Sequence, residues 1–336
     1  MTVEKLAHYV HRFPGMHIAV VGDLMLDRYV WGRASRISQE APVPIVRVER
    51  ETIAPGGAAN VVRNILALGG RATAFGRVGS DAYASQLCNS LQKAGAAIDG
   101  IMTGERPTTV KTRVLAGNQQ VVRIDHEDGE SDEHELLAGL LDTFKETMKS
   151  GRVDAIIVED YAKGLLTCDV VSEIVSIGTG YGIPVALDPH PSHNFAVQGL
   201  TLVTPNRTEA FALTGTYYHP GTTPLKQDSY LLCVAEKLLF EWNMQNLLVT
   251  LGADGMALFR KGMEPVQIPT RAQEVFDVSG AGDTVMATAA LSLAAGAEAG
   301  EAAELANHAA GIVVGKIGTA AVTATELEKN LARERL

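Results

Sequence analysis

Cysteine is scarce: Cys88, Cys168 and Cys233 are the only three in 336 residues, and no two of them form a C-x-x-C pair. They cannot build a disulfide framework, so the expected setting is a reducing compartment. Positive charge is in deficit, with 29 Lys and Arg against 39 Asp and Glu and a net charge of −10. That balance repels a phosphate backbone and predicts no nucleic-acid partner. A small anionic ligand stays open, because local amides and a few cations decide its binding. The longest nearly apolar run, Thr284 to Ala297, falls short of the ~20 residues a membrane span needs. The opening MTVEKLAHYVHRFPG has no apolar core of the signal-peptide kind. These absences predict a cytoplasmic protein with no membrane partner. There is no G-x-x-x-x-G-K-[ST], no G-x-G-x-x-G after a strand and no H-R-D/D-F-G set, which weakens P-loop, Rossmann and protein-kinase readings.

Apolar residues make up 46% of the chain, and 33 glycines follow no period, so the chain reads as globular with glycine in loops and close turns. Strand-length apolar runs alternate with helical patterns: HIAVVGDLML, VVRNILALGG, RATAFGRVG, DAYASQLCNSLQKAG, then DAIIVEDYA, IPVALDP, LTLVTPN and NLLVTLG with helices near 167–180 and 228–243. This rhythm predicts an α/β fold with a mostly parallel sheet and helices on both faces. Two stretches break it. PVPIVRVERE and TTVKTRVLAGNQQVVRIDHE read as strands without an intervening helix, the second as a hairpin turning near Ala116–Gln119. They predict a small β-strand lid, from about 30–52 and 106–127, inserted in one large α/β domain over 1–336.

The most informative segment, EVFDVSGAGDTVMATAALSLAAG (274–296), reads as a short strand entering Ser-Gly-Ala-Gly-Asp and then an apolar helix. Glycines at a helix entry let N–H groups converge on an anion where the helix dipole is positive. Asp283 in the first turn would stand beside a bound phosphate, placed to take a proton from an attacking hydroxyl; the alternative is that it merely caps the helix. In APGGAAN, Gly56 and Gly57 would let a ligand approach the backbone, and Asn60 would meet hydroxyls or, alternatively, cap the helix that opens there. In GDLMLD, Asp23 and Asp27 fall near the end of an expected parallel strand, where α/β ligands bind, and suggest polyol recognition. Asn206 and Glu209 in TPNRTE have the spacing of a capping box, and also of polar groups near nucleotide phosphates and magnesium.

Lys111 and Arg113 alternate onto one face of the expected hairpin, with Arg123 on the opposing strand and Arg33 and Arg36 before the earlier lid strand. Such cations could clamp a substrate phosphate, or simply be solvated. The run HEDGESDEHE (126–135) fits no calcium-loop spacing and reads as an exposed loop entering an acidic helix start. His190 and His193 lack a clear third ligand for zinc.

With these residues assembled, the chain resembles the ribokinase-like (PfkB) carbohydrate kinases along nearly its whole length, through GDLMLD, PGGAAN, TPNRTE, VTLGADG and DVSGAGDT. GDLMLDRYVWGRASRISQEAPVPIV, KTRVLAGNQQVVRID, DYAKGLL and ANHAAGIVVGKIGT are closer still to the kinase part of bacterial heptose kinase/adenylyltransferases. The resemblance implies a ribokinase-like fold and ATP-dependent phosphorylation of the anomeric hydroxyl of D-glycero-β-D-manno-heptose 7-phosphate, in lipopolysaccharide-core biosynthesis. It implies Asp283 as base, with the Gly280, Ala281 and Gly282 amides on the transferring phosphate. Substrate would meet Asp27, Gly56, Gly57, Asn60, Arg36, Lys111, Arg113, Asp160 and Lys163. Asn206, Glu209, Thr250, Gly252 and Asn307 would serve ATP, Glu209 would hold magnesium mainly through ATP and water, and Asp277 with Ser279 would form a monovalent-cation (K+) site. A homodimer through the lid strands is implied too. The absence of a GHxxYL-type segment implies a kinase without the second activity. The departures are His190, where the bifunctional relatives often carry lysine, and Val278–Ser279, where two threonines are common. The rivals are another PfkB-family kinase acting on fructose, ribose or a nucleoside, and a silent sugar or nucleotide sensor.

Overall fold

In the computed structural model, which describes residues 2–117, 119–128, 134–221, 224–272, 274–316 and 318–333, the apolar runs become strands in the expected rhythm. In chain order the strands are His17–Gly22 (β1), Leu24–Ile37 (β2), Pro44–Gly57 (β3), Arg71–Val78 (β4), Ala97–Thr103 (β5), Thr109–Ala116 (β6) and Gln119–His126 (β7). Ala155–Glu159 (β8), Val185–Asp188 (β9), Leu202–Val203 (β10), Asn246–Thr250 (β11), Met256–Arg260 (β12) and Val266–Ile268 (β13) follow. The helices are Val3–Arg12 (α1), Ala58–Ala67 (α2), Ala82–Ala94 (α3), His134–Lys149 (α4), Cys168–Gly180 (α5), Arg207–Leu213 (α6), Ser229–Glu241 (α7), Ala281–Ala294 (α8), Ala299–Val313 (α9) and Ala324–Arg333 (α10).

Nine strands form the main sheet in the order β13-β12-β11-β10-β9-β8-β1-β4-β5, parallel from β11 to β5 with an antiparallel edge at β12 and β13. Side chains alternate across it. Ile18 and Val20 of β1 enter a core with α1, α2, α3, α8, α9 and α10. Ala19 and Val21 enter the opposite core with α4, α5, α6 and α7. No helix among the described residues is long and apolar enough to cross a membrane. All three cysteines are free.

β3, β2, β6 and β7 pair into a second sheet, with Ala116 opposite Gln119 at the expected hairpin turn. β2 departs from the sequence reading. HIAVVGDLML reads as one run, yet it divides at Asp23, whose N–H donates to the Glu159 carbonyl at 3.2 Å. The lid strand therefore begins at Leu24, and Asp27 stands on the lid rather than at the end of a parallel strand. A second departure is the strand expected at the start of 274–296. Residues 274–279 form none in the described positions, because the Phe276 and Asp277 N–H groups both donate to the Val314 carbonyl at the end of α9 instead of a strand edge. Of the acidic run 126–135, residues 129–133 lie outside the described residues.

α8 is buried from Asp283 to Ser292, as a small-residue helix must be when neighbours cover it on all sides. Its Thr288 and Ser292 hydroxyls donate to the Thr284 and Thr288 carbonyls at 2.7 Å, which satisfies them inside the core.

Gly57 precedes α2 with φ of 55°, and a Cβ there would stand 2.3 Å from Met25 Cε and 2.5 Å from the Asp23 carbonyl oxygen. Gly57→Ala should therefore cost at least about 2 kcal/mol, read as a lower urea midpoint; an unchanged midpoint would refute the constraint.

Candidate active site

β1 and β8 are neighbours from which the strand order runs outward in opposite directions. At such a reversal a crevice opens beyond the carboxyl ends of the strands. Asp23, just past β1, is buried, and its Oδ2 accepts the N–H groups of Tyr161 at 2.9 Å and Lys163 at 3.0 Å. Asp160, just past β8, accepts the Ala162 N–H on one oxygen at 2.8 Å. Its other oxygen meets the His190 N–H at 3.1 Å and His193 Nδ1 at 2.9 Å. Asp23 and Asp160, both expected near substrate, are thus committed to folding the 160–163 turn. His190 and His193 likewise serve that turn, and no three-ligand metal cluster forms among the described residues.

The turn delivers Tyr161 to Asp283. The Tyr161 hydroxyl donates to Asp283 Oδ1 at 2.7 Å, and Asn60 Nδ2 donates to Oδ2 at 2.5 Å. Neither Asn60 nor Asp283 is a cap: Asn60 is the third residue of α2, and α8 is preceded by Gly280 in a left-handed conformation. A Cβ on Gly280 would lie 2.7 Å from Asn60 Nδ2, so glycine there is what lets α2 and α8 close on each other. A second bridge continues the seam, from Thr284 Oγ1 to Asn64 Oδ1 at 3.0 Å and from Asn64 Nδ2 to the Asn60 carbonyl at 2.9 Å. Burial raises the Asp283 pKa, Asn60 and Tyr161 oppose that by hydrogen bonding, and the Asp27 charge adds to it while Arg63 subtracts.

The amides at this helix entry divide. Ala281 N–H closes a turn on the Val278 carbonyl at 3.2 Å, which corrects the expectation that three consecutive amides face a phosphate. Gly280 and Gly282 N–H have no acceptor among the described residues.

On the lid, Asp27 Oδ1 accepts Arg113 Nη1 at 2.5 Å, and the bare backbone of Gly56 leaves room for Oδ2, which a Cβ would approach to 2.8 Å. Lys111, two residues before Arg113 and on the same face, holds its ammonium 5.2 Å from the centre of the Tyr161 ring. It is half-buried, no described carboxylate closes an ion pair with it, and burial together with Lys163 and Arg123 pushes its pKa down. Lys163 is paired with Glu127 at 2.8 Å, Arg123 with Asp125 at 2.8 Å and Arg33 with Glu49 at 3.0 Å. Arg36 is not brought to this cluster. It lies on the exposed outer part of β2, nine positions beyond Asp27, or roughly 30 Å at ~3.3 Å per strand residue.

Asn206 and Glu209 do form a capping box, with Asn206 Oδ1 accepting from Glu209 N–H at 3.0 Å and Glu209 Oε2 accepting from Asn206 N–H at 2.7 Å. Glu209 stays half-buried, and burial raises its pKa. Thr250 bridges Asn206 in parallel register, and Gly252 opens the next turn with φ of 60°. Asn307, buried in α9, donates to the Pro269 carbonyl at 2.7 Å. Burial works against the Asp277 carboxylate, yet the Ser279 and Gly318 amides, at 2.9 and 3.0 Å, hold its pKa below the usual value.

Four further residues escaped sequence reasoning. Tyr161 and Arg63 sit beside Asp283 with no periodic signal to mark them. Glu159 and Asp188 are register partners at the ends of β8 and β9, a position at parallel strand ends that could have singled them out. Burial raises both pKa values well above the carboxylate range, the Asp188 charge adding for Glu159 and the Glu209 and Asp283 charges for Asp188. Neither Glu159 oxygen has a hydrogen-bond partner among the described residues, so nothing there compensates the burial of its charge and the protonated form is favoured.

A glycine helix entry beside a buried carboxylate, a polar strand lid and a doubly covered parallel sheet together make a ribokinase-like architecture. The sequence model of the pfkB family carbohydrate kinases matches residues 16–326, and the chain belongs to that family. It is 43% identical over 328 residues to the bifunctional protein HldE of Citrifermentans bemidjiense, covering 97% of this chain and 66% of that protein. Identity to the HldE of Pseudomonas aeruginosa is 42% over 324 residues, covering 96% and 65%. The chain thus spans just under two thirds of the length of these relatives. Among solved structures it is similar to Arabidopsis thaliana ribokinase complexed with ribose and ATP, with a TM-score of 0.71, 22% identity and 94% and 98% of the two chains covered. Phosphofructokinase-2 of Escherichia coli in complex with potassium gives a TM-score of 0.76 at 18% identity, covering 96% and 99%.

The raised Glu159 pKa yields a pH test. A carboxyl whose pKa is raised by folding stabilises the fold while protonated and loses that contribution as pH rises through its folded value. Glu159→Gln keeps a neutral donor toward Asp188, so the melting temperature of the metal-free variant should gain on the wild type as pH increases from 6 to 9; a difference independent of pH would refute the raised pKa.

Proposed function

We propose that the chain transfers the γ-phosphoryl group of ATP to the anomeric hydroxyl of a heptose 7-phosphate. Lys111 carries this reading: a half-buried cation without an ion-pair partner among the described residues faces the site, and a substrate phosphate would supply an anion. A neutral hexose, ribose or nucleoside would leave that charge unmet, and the 42–43% identity to HldE proteins points the same way.

In this reading Asp283 accepts the hydroxyl proton as the sugar oxygen bonds to the γ-phosphorus. The β–γ bond breaks with its electron pair leaving on ADP. The Gly280 and Gly282 N–H groups, at the positive end of α8, stabilise the charge on the transferring phosphoryl oxygens. Asp27 with Arg113, Gly56, Gly57 and Asn60 hold the sugar, Lys111 and Arg113 face its phosphate, and Asn206, Thr250, Gly252 and Asn307 border the nucleotide. Magnesium bound with ATP would offset phosphate charge. Glu209 fits as its holder through water, because its half-buried carboxylate closes no ion pair among the described residues. Asp277 and Ser279 are assigned the monovalent-cation site. The exposed apolar side chains of the lid, among them Ile37, Val48, Val122 and Ile124, support a homodimer closed through the lid strands. A cytoplasmic location completes the proposal.

Asp283→Asn should preserve folding and ATP binding while lowering kcat by about 10²–10⁴-fold; near-normal turnover would sink the base assignment. Lys111→Ala should raise KM for the phosphorylated sugar about 10- to 100-fold and leave KM for ATP unchanged. ADP release measured over sugars and their phosphates decides the substrate class: equal turnover of phosphorylated and unphosphorylated heptose would overturn the Lys111 reading.

A further inference from the structure

The turn after β8 is held by an unusual number of constraints. Asp23 accepts two of its amides, Asp160 a third, and Ala162 sits at φ of 53°, a conformation that costs a non-glycine residue free energy. What this strained turn delivers is the Tyr161 hydroxyl, 2.7 Å from Asp283 Oδ1. The Lys111 ammonium lies over one face of the ring, 5.2 Å from its centre.

We infer that Tyr161 is a positioning residue for phosphoryl transfer, its phenol and the Asn60 amide gripping one Asp283 oxygen each so that the carboxylate meets the acceptor hydroxyl in a single orientation. The inference rests on the reading of Asp283 as the base. A carboxylate has about four acceptor positions, so one donor on each oxygen leaves room for the incoming hydroxyl.

The charges around Asp283 explain why a neutral donor is useful there. Asp27 from the lid, Glu159 from β8 and Asp188 from β9 repel its ionised form or are repelled by it, whereas Arg63 of α2 favours that form. Lys111, over the Tyr161 ring, is the lid cation on that side. The phenol itself keeps its proton, because burial and then the Asp283, Glu159 and Asp188 charges push its pKa well up. Tyr161 therefore donates and Asp283 accepts, with no exchange of roles.

Tyr161→Phe keeps the ring and removes only the hydroxyl. With ATP and the phosphorylated sugar, kcat should fall at least tenfold at neutral pH while KM for ATP stays constant. The acid limb of the kcat/KM profile should move to higher pH, since a buried carboxylate with one donor fewer protonates more readily. A wild-type profile, or a rise in kcat, would overturn the inference. Should the phenylalanine variant not fold, 3-fluorotyrosine at position 161, a stronger donor of nearly the same shape, should move the acid limb to lower pH; an unmoved limb there overturns it equally. Asp283→Asn assayed in parallel separates the two readings. Turnover retained in that variant refutes the base, whereas an inactive Asp283→Asn beside a wild-type Tyr161→Phe refutes only the role of the phenol.

Discussion

Everything around the cleft answers one constraint: the Asp283 carboxylate is buried in the first turn of a helix that carries no other charge. Taking an ionised carboxylate out of water costs several kcal/mol unless donors and positive potential replace the hydration. Here Asn60 and Tyr161 supply the donors, Arg63 a charge and the α8 entry its dipole. Each replacement imposes a further requirement. Asn60 can reach only because position 280 has no Cβ, and α2 holds its register against α8 through Asn64 and Thr284. Tyr161 can reach only because Asp23 and Asp160 bend the chain through a strained turn.

A net charge of −10 and a floor of carboxylates look ill suited to anionic ligands, but the charges are sorted by layer. Glu159, Asp188, Glu209 and Asp283 line the strand ends and helix starts, where burial raises their pKa values and the neighbouring carboxylates add to the rise for Glu159 and Asp188. The cations Lys111 and Arg113 are on the second sheet, opposite them. The space between the layers has lid cations on one side and the α8 entry amides on the other. The pKa values of the carboxylates that would repel an anion there are raised, which favours their neutral forms. Local arrangement, not total charge, sets what such a cleft accepts.

Much of this was legible in the sequence. The alternation of apolar runs gave the parallel sheet, the unbroken β stretches gave the lid hairpin, and the two glycine loops marked the bases of α2 and α8. What escaped depended on contacts between distant segments. HIAVVGDLML carries no local mark of the break at Asp23, because the break is made by Glu159 and Tyr161 more than 130 residues away. EVFDV has strand composition but no strand edge to pair with. Asp160, a substrate residue by the resemblance alone, accepts its own loop amides in the structure, which a carboxylate at a strand end can do without any local mark in the sequence. The N-x-x-E segment shows that alternatives need not exclude each other, since Glu209 closes the capping box with one oxygen and remains a half-buried carboxylate beside Asp188.

Asp23 joins these levels. Its N–H pairs with β8, its carbonyl accepts the Ala58 N–H at the start of α2 at 3.1 Å, and its carboxylate grips the turn that carries Tyr161. The next residue begins β2, which four positions on presents Asp27 to Arg113. One buried acid thus fixes where the main sheet ends, where the lid begins, where α2 starts and where the phenol beside Asp283 stands. Its carboxylate, its pKa raised foremost by burial and lowered by the amides it accepts, never needs to touch a ligand to matter. A lid strand leaving the core at that residue shares its anchor with the Tyr161 turn, so the surfaces assigned to the sugar and the orientation of the proposed base are set by the same few hydrogen bonds.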